Sequence, residues 1–336
     1  MYTIHGRREI MQNNKIKLVK TFENNKCILC GNDTFEIVSE IDAKTKKRLI
    51  VGLCLKCGLI QQIPIPCEKE LKKWYRDYYR LEYKKSYIPE PKHIYRAAKA
   101  AISRLKFLQK LGIKSGRLLD IGAGSGEFVY IANKLGYNAK GIEPNIGYAK
   151  YAKEEYNVDI KIATLEEIRE TDKYDIITMF HVLEHLCNPL RVFKKLYFLA
   201  REEGIVFIEV PWIEAEDASP HNIYFKAHIF YFNAETLRAC ASQYFDVIKI
   251  DTSSNLKVVL KKKGQPSDLQ LSSLEEVEEL RKRIREKGWF EYLFKGRGIL
   301  KPLKKIKSSI EENKVKHMSG KEIVKYILEI NEVVIN

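Results

Sequence analysis

Long apolar runs are missing from this 336-residue chain: no stretch of 18 consecutive apolar residues occurs, which excludes a membrane-spanning helix. The opening residues, Met1-Tyr2-Thr3-Ile4-His5-Gly6-Arg7-Arg8, lack the apolar core of a secretory leader, so a cytoplasmic location is expected. No internal repeat is visible, which sets solenoid folds aside. Cysteine is sparse, seven in all, and four of the seven fall into two close pairs, which favours a metal over disulfides. Cys67, Cys187 and Cys240 stand alone and read as reduced thiols. An acidic excess is absent too, since the net charge is +15, and such a balance points to an anionic partner. The charge is uneven: from Arg281 to His317, 13 Lys/Arg face 4 Asp/Glu, so the basic balance says little about the rest of the chain.

The paired cysteines are Cys27-Ile28-Leu29-Cys30-Gly31 and Cys54-Leu55-Lys56-Cys57-Gly58. In each, a CxxC turn closed by glycine lets two thiolates face one ion. The 23 residues between the pairs pattern as a hairpin, with strands over 34–41 and 48–53. Four thiolates suit tetrahedral Zn²⁺, and a site closed by four protein ligands is structural. The ion is expected to hold together a segment too small for a core of its own.

The densest signal lies further on, in Leu118-Leu119-Asp120-Ile121-Gly122-Ala123-Gly124-Ser125-Gly126-Glu127, followed by Gly141-Ile142-Glu143-Pro144. An apolar run ending in an acid, then alternate glycines, reads as a buried strand turning tightly into a helix. Glycine lets backbone approach a ligand, and the helix start aims amides at it. About 20 residues on, an acid is wanted for a ribose diol, and Glu143 stands there. A dinucleotide site would call for G-x-G-x-x-G, and here the third glycine falls one place early.

From 117 onward strand and helix patterns alternate, with strands over 117–121, 139–143, 159–163, 174–180 and 204–210. This rhythm predicts a parallel sheet covered by helices. Two further strands, 246–252 and 256–262, are joined only by Ser253-Ser254-Asn255, too short for a crossover, and must pair antiparallel.

These motifs over 92–262 resemble the class I S-adenosylmethionine-dependent methyltransferases. The resemblance implies an α/β, Rossmann-like, seven-stranded sheet ending in an antiparallel hairpin, preceded by a zinc ribbon and followed by a helical tail. It implies cofactor contacts from Asp120, Gly122, Ala123, Gly124, Gly126, Glu143 and Pro144, with Phe180 beyond the fourth strand. Where the family often has an acid for the adenine, this chain has Thr164-Leu165, and Thr164 could supply a hydroxyl. The CxxCG…CxxCG ribbon resembles a subset assigned to sugar and polysaccharide modification, whose other landmarks are matched by Phe180-His181-Val182-Leu183-Glu184-His185, Ile208-Glu209-Val210-Pro211 and His228-Ile229-Phe230-Tyr231-Phe232.

Methyl transfer needs an aligned acceptor and, for a hydroxyl, a proton acceptor. His181 and His228 are the candidate bases. His185 and Glu184 stand beside them, His181 and His185 sharing a face if the stretch is helical. The segment 212–233 is too long for a plain turn and, with Trp212, Tyr224 and Phe225, reads as an acceptor-binding lid. Five parts are expected: an extension (1–25), the ribbon (26–66), a helical aromatic linker (67–91), the methyltransferase domain (92–263) and a basic helical tail (264–336). The expected acceptor is a small-molecule or lipid-linked carbohydrate, methylated on oxygen, with a nucleotide-sugar carbon open. The tail's lysines and aromatics suit an anionic membrane, which would place the protein peripherally at its inner face. The alternative is a zinc-ribbon RNA methyltransferase. Phe180-His181-Val182-Leu183 stands where base N-methylation commonly uses Asn/Asp-Pro-Pro-aromatic.

Overall fold

The structure, a computed structural model, describes residues 7–12, 15–67 and 88–332. The aromatic segment around Trp74 and Tyr79 lies outside the described residues.

One sheet is antiparallel. It runs β1 (Arg7–Gln12), β2 (Lys15–Thr21), β3 (Thr34–Ile41), β4 (Arg48–Cys54) and β5 (Ile60–Gln62), and its last neighbour is β11 (Phe230–Tyr231) from far along the chain. Phe230 pairs with Gln61 and Tyr231 with Ile60. The hairpin read over 34–53 is therefore the centre of a larger sheet that takes in part of the expected extension.

The second sheet has seven strands: β6 (Gly116–Ile121), β7 (Tyr137–Ile142), β8 (Ile160–Lys161), β9 (Tyr174–Phe180), β10 (Ala200–Val210), β12 (Phe245–Asp251) and β13 (Leu256–Lys262). Their order is β12-β13-β10-β9-β6-β7-β8. β6 is parallel to both β7 and β9, and β7 to β8, as alternating strands and helices require. β12 and β13 pair antiparallel with a register shift between Val247 and Lys249. The apolar faces of β6 and β9 supply fully buried Leu118, Ile177 and Met179.

The chain divides into two compact units, one of 1–68, 181–197 and 208–300, the other of 69–180, 198–207 and 301–336. In the first, α6 (Leu274–Glu286) shares a core with the antiparallel sheet: Val277 and Leu280 join Val51, Leu53, Ile60, Ile213 and Tyr231. Arg281 and Arg285 both pair with the buried Glu36 of β3, at 2.9 and 2.7 Å. In the second, α1 (Pro91–Lys110) and α2 (Glu127–Lys134) adjoin, and α8 (Gly320–Ile330) buries Ile323, Val324, Ile327 and Leu328. The tail expected as one appendage is thus shared between the units, because α6 and α8 each carry an apolar stripe that must be buried.

Candidate active site

The glycine turn joins β6 to α2. Gly122, Gly124 and Gly126 take φ of 75°, 56° and 90°, the left-handed region that glycine enters without steric cost. At Gly126 a Cβ would lie 2.7 Å from that of Ala152, so this glycine is required by packing as well. Four of the turn's amides are paired within the fold. Gly122 and Ala123 both donate to the carbonyl of Ile142 at 2.9 Å, and Gly126 donates to that of Ala123 at 3.0 Å. Gly124 donates to Glu143 Oε2 at 2.9 Å, and Asn145 to Oε1 at 3.0 Å. The turn therefore offers a shaped surface with a buried carboxylate braced against it.

Asp120 is buried and receives the Thr178 hydroxyl at 2.7 Å. Burial pushes its carboxyl up to about 7, although that hydrogen bond and the Arg104 charge oppose the shift. Phe180 packs edge-on to Phe128 and Phe207, with the Arg104 guanidinium 4.1 Å from its ring centre. Leu165 is buried and Pro144 half-buried. Thr164 Oγ1 is buried without a hydrogen-bond partner. An orphaned hydroxyl is costly unless something meets it, and with the cradle and Glu143 it fits a nucleoside cofactor such as S-adenosylmethionine.

In the other unit a second cluster assembles around Glu184. His181 follows the last residue of β9 and has φ +56°, unusual for a residue with a Cβ. Its amide donates to the Glu209 carbonyl at 2.8 Å. Its Nδ1 lies 3.6 Å from Glu184 Oε1 and its Nε2 3.5 Å from Glu209 Oε1. Asn255 donates to that same Glu209 oxygen at 2.7 Å and lies 3.4 Å from His181 Nε2. Burial pulls the His181 pKa down, but the adjacent carboxylates of Glu184 and Glu209 outweigh it and raise the imidazole to about 9. Its side chain is 39% exposed, so it stays within reach of a ligand.

Glu184 is 1% exposed, and neither carboxylate oxygen has a hydrogen bond. Burial pushes its pKa up, but His185 and His181 win and hold it at about 2. His185 Nδ1 lies 2.6 Å from the Ala227 carbonyl, and since a carbonyl only accepts, this nitrogen carries the proton. His185 Nε2 is left facing Glu184 Oε1 at 3.8 Å, and His228 Nε2 faces it at 4.0 Å. Burial and the neighbouring His185 press His228 down to about 3. Helical structure here is limited to a 3-10 turn, Leu183–His185. His181 and His185 meet at Glu184 because the chain bends there.

The expected lid is stapled down. Phe230, Tyr231 and Phe232 are buried, and Gln62 donates its side-chain amide to the carbonyls of Lys226 and His228 at 2.9 and 2.8 Å. Ile229 donates to the Glu184 carbonyl at 2.8 Å, and Lys226 to Asp42 Oδ2 at 2.7 Å. Gln62 and Asn255 were not singled out in the sequence. Neither lies in a motif, and both act through contacts of long sequence separation.

The two cysteine knuckles are superimposable in their bonding. Gly31 donates to the Cys27 carbonyl and Gly58 to that of Cys54, both at 2.9 Å, with φ of 72° and 77°. Cys27 and Cys57 sulfurs are 3.5 Å apart, as are those of Cys30 and Cys54. Tetrahedral ligation at about 2.3 Å per bond places sulfurs about 3.8 Å apart, so the set fits one ion. Among the described residues one other group brings such donors within 4.8 Å of one another: Glu184, His185 and His228.

A methyltransferase-domain family model matches residues 92–250. A putative methyltransferase of Invertebrate iridescent virus 6 is 33% identical over 113 residues, or 30% of this chain and 43% of that protein. The ubiquinone biosynthesis O-methyltransferase of Actinobacillus pleuropneumoniae serotype 7 is 29% identical over 117 residues, or 31% of this chain and 50% of that protein. The chain thus spans half or less of the length of these curated relatives. Among solved structures, the magnesium protoporphyrin IX methyltransferase of Synechocystis PCC 6803 with bound SAM is 13% identical, covering 58% of this chain and 97% of that one at a TM-score of 0.41. Residues 92–250 are thus similar in sequence to a methyltransferase domain.

Proposed function

We propose that this protein is an S-adenosylmethionine-dependent O-methyltransferase acting on a sugar or glycan, with His181 as the base and Zn²⁺ held by Cys27, Cys30, Cys54 and Cys57. The observation that carries the reading is His181, placed directly after β9 and held between Glu184 and Glu209. Ligands of open α/β sheets bind beyond the carboxyl ends of the strands, where His181 stands. The O-methyltransferases among the relatives support oxygen as the acceptor atom.

S-adenosylmethionine, when bound, supplies a methyl group already activated on a sulfonium. Glu143 and the Thr164 hydroxyl would hold it, and the glycine turn would leave room for it. The remaining task is to align the acceptor hydroxyl and take its proton. His181 accepts that proton on a ring nitrogen, and Glu184 and Glu209 stabilise the resulting imidazolium. Such a base contributes about 10²–10⁴-fold. Asn255 keeps Glu209 in place. Incubation with methyl-labelled cofactor and a panel of nucleotide sugars, glycans and phenols tests the assignment. Label on a sugar oxygen is expected, and label confined to phenols or RNA would refute it.

A second reading has one observation in its favour. Glu184, His185 and His228 bring a carboxylate and two ring nitrogens within 4.8 Å of one another, a donor set that suits a divalent cation. Glu184, His185 and His228 would then hold a divalent ion that acidifies the acceptor hydroxyl. Metal analysis separates the readings: one zinc per chain for the first, two divalent ions for the second.

A further inference from the structure

The glycine turn is held from a second side, by residues that the proposed chemistry leaves unused. Ser125, Glu127 and Tyr156 are all buried. Glu127 opens α2, where the first-turn amides favour a negative charge. Its Oε2 accepts the Ser125 hydroxyl at 2.8 Å, and its Oε1 accepts the Tyr156 hydroxyl at 3.4 Å. Tyr156 closes α3 (Ile146–Tyr156), and its ring stacks on Tyr130 of α2 with centroids 4.9 Å apart. Burial and the Glu127 charge both raise the Tyr156 pKa, so the hydroxyl keeps its proton and stays a donor. One carboxylate thus links the middle of the turn to the end of α3.

The far end of this path is α8. Gly320, its first residue, is buried, and a Cβ there would lie 2.5 Å from the hydroxyls of both Tyr151 and Tyr156. Glycine is therefore what lets the helix start against the two tyrosines. Next to it the Lys321 amide donates to Glu155 Oε1 of α3 at 2.8 Å. A capping box fixes the same helix start: Ser319 Oγ accepts the Glu322 amide at 3.3 Å, and Glu322 Oε2 accepts that of Ser319 at 2.7 Å. The preceding helix, α7 (Lys301–Lys314), is anchored separately, Arg96 of α1 donating to both Glu312 oxygens at 2.8 Å. All of these residues belong to one compact unit.

We propose that α8 positions the glycine turn for cofactor binding through Tyr156, Glu127 and Ser125. Ser125 lies between Gly124 and Gly126, both at positive φ, and glycine-flanked backbone has many shapes open to it. The bond to Glu127 selects one of them before the ligand arrives, which lowers the cost of binding. α8 in turn fixes the tyrosine hydroxyl on which Glu127 rests. These are positioning residues, and the inference rests on the reading of the turn as an S-adenosylmethionine cradle.

Calorimetric titration of the full-length protein with S-adenosylmethionine tests it, with thermal melts to verify that each variant is folded. Gly320→Ala, Tyr156→Phe and Ser125→Ala should each weaken binding about fivefold, the effect of one lost hydrogen bond. Tyr156→Phe keeps the buried ring and serves where Gly320→Ala fails to fold. The double variants Gly320→Ala, Ser125→Ala and Tyr156→Phe, Ser125→Ala should bind no more weakly than the poorer single variant, because both changes cut one path. An α8 with a merely structural role would give losses that multiply. Unchanged affinity in the folded single variants, or losses that multiply in the doubles, overturns the inference and leaves the cofactor assignment standing. No binding by the wild type overturns both.

Discussion

Gln62, on the last strand of the cysteine-bearing half of the antiparallel sheet, donates its side-chain amide to the carbonyl of His228 at 2.8 Å. The same strand pairs with Phe230–Tyr231, and the carbonyl of Glu184 receives the amide of Ile229. The cysteine-bearing sheet thus braces the histidine segment, so an ion on the four cysteines would act on that segment through the sheet.

Gln62→Leu should therefore lower turnover at least tenfold while changing S-adenosylmethionine affinity less than twofold. It leaves two carbonyls short of a donor, a loss of about 1–3 kcal/mol each where they stay buried. Calorimetric titration of the cofactor beside steady-state kinetics checks the split. Stripping zinc with a strong chelator should reproduce it, and equal losses in both measurements would break the link.

Glu143 braces the glycine turn through two amides, at 2.9 and 3.0 Å. Glu143→Ala should raise the S-adenosylmethionine dissociation constant tenfold or more. Glu143→Gln, which keeps one acceptor oxygen, should retain more affinity than the alanine variant. Similar affinity for all three proteins would show that the carboxylate does not reach the cofactor.

His181 is raised to about 9 from an ordinary 6.5. A base must be deprotonated to act, so kcat/KM should climb with pH and level off near 9. His181→Gln should lose more than tenfold in turnover and flatten the profile. The stability that the charged imidazole contributes is fully present below pH 6.5 and fades as pH rises through about 9. A profile unchanged in the variant would assign the base elsewhere, with His228→Gln as the next test.

Asp120, pushed up to about 7 by burial, binds its proton more tightly folded than unfolded. Stability should fall as pH rises from about 4 through 7, because the folded state must then ionise a buried carboxyl. Asp120→Asn keeps an acceptor for Thr178 and should unfold at a higher temperature than wild type at pH 8, with a smaller difference at pH 5. Thermal melts without cofactor read this directly, and the opposite ordering would mean that Asp120 is ionised and compensated.

Much of the catalytic fold is legible in the chain because it rests on local signals. The strand over 174–180 and the hairpin strand over 256–262 are read to the residue from periodicity and flanking turns. Both cysteine knuckles follow from spacing and glycine alone. A helix over 181–185, which would put His181 and His185 on one face, is left open by the residue types there. A left-handed His181, tied by its amide to the Glu209 carbonyl, prevents that.

By itself the sequence determined the two cysteine turns, the glycine turn with Glu143, and the alternation that yields a parallel sheet closed by a hairpin. Each depends on residues near one another in the chain, where spacing and conformational preference act directly. Only the tertiary structure decided that Gln62 braces His228, that Asn255 holds Glu209 beside His181, and that Arg96 on α1 binds Glu312. Those relations join residues separated by 166, 46 and about 216 positions, and no local preference encodes which distant partner a polar side chain meets. Burial settles it, because each buried polar group must find a partner wherever the packed chain delivers one.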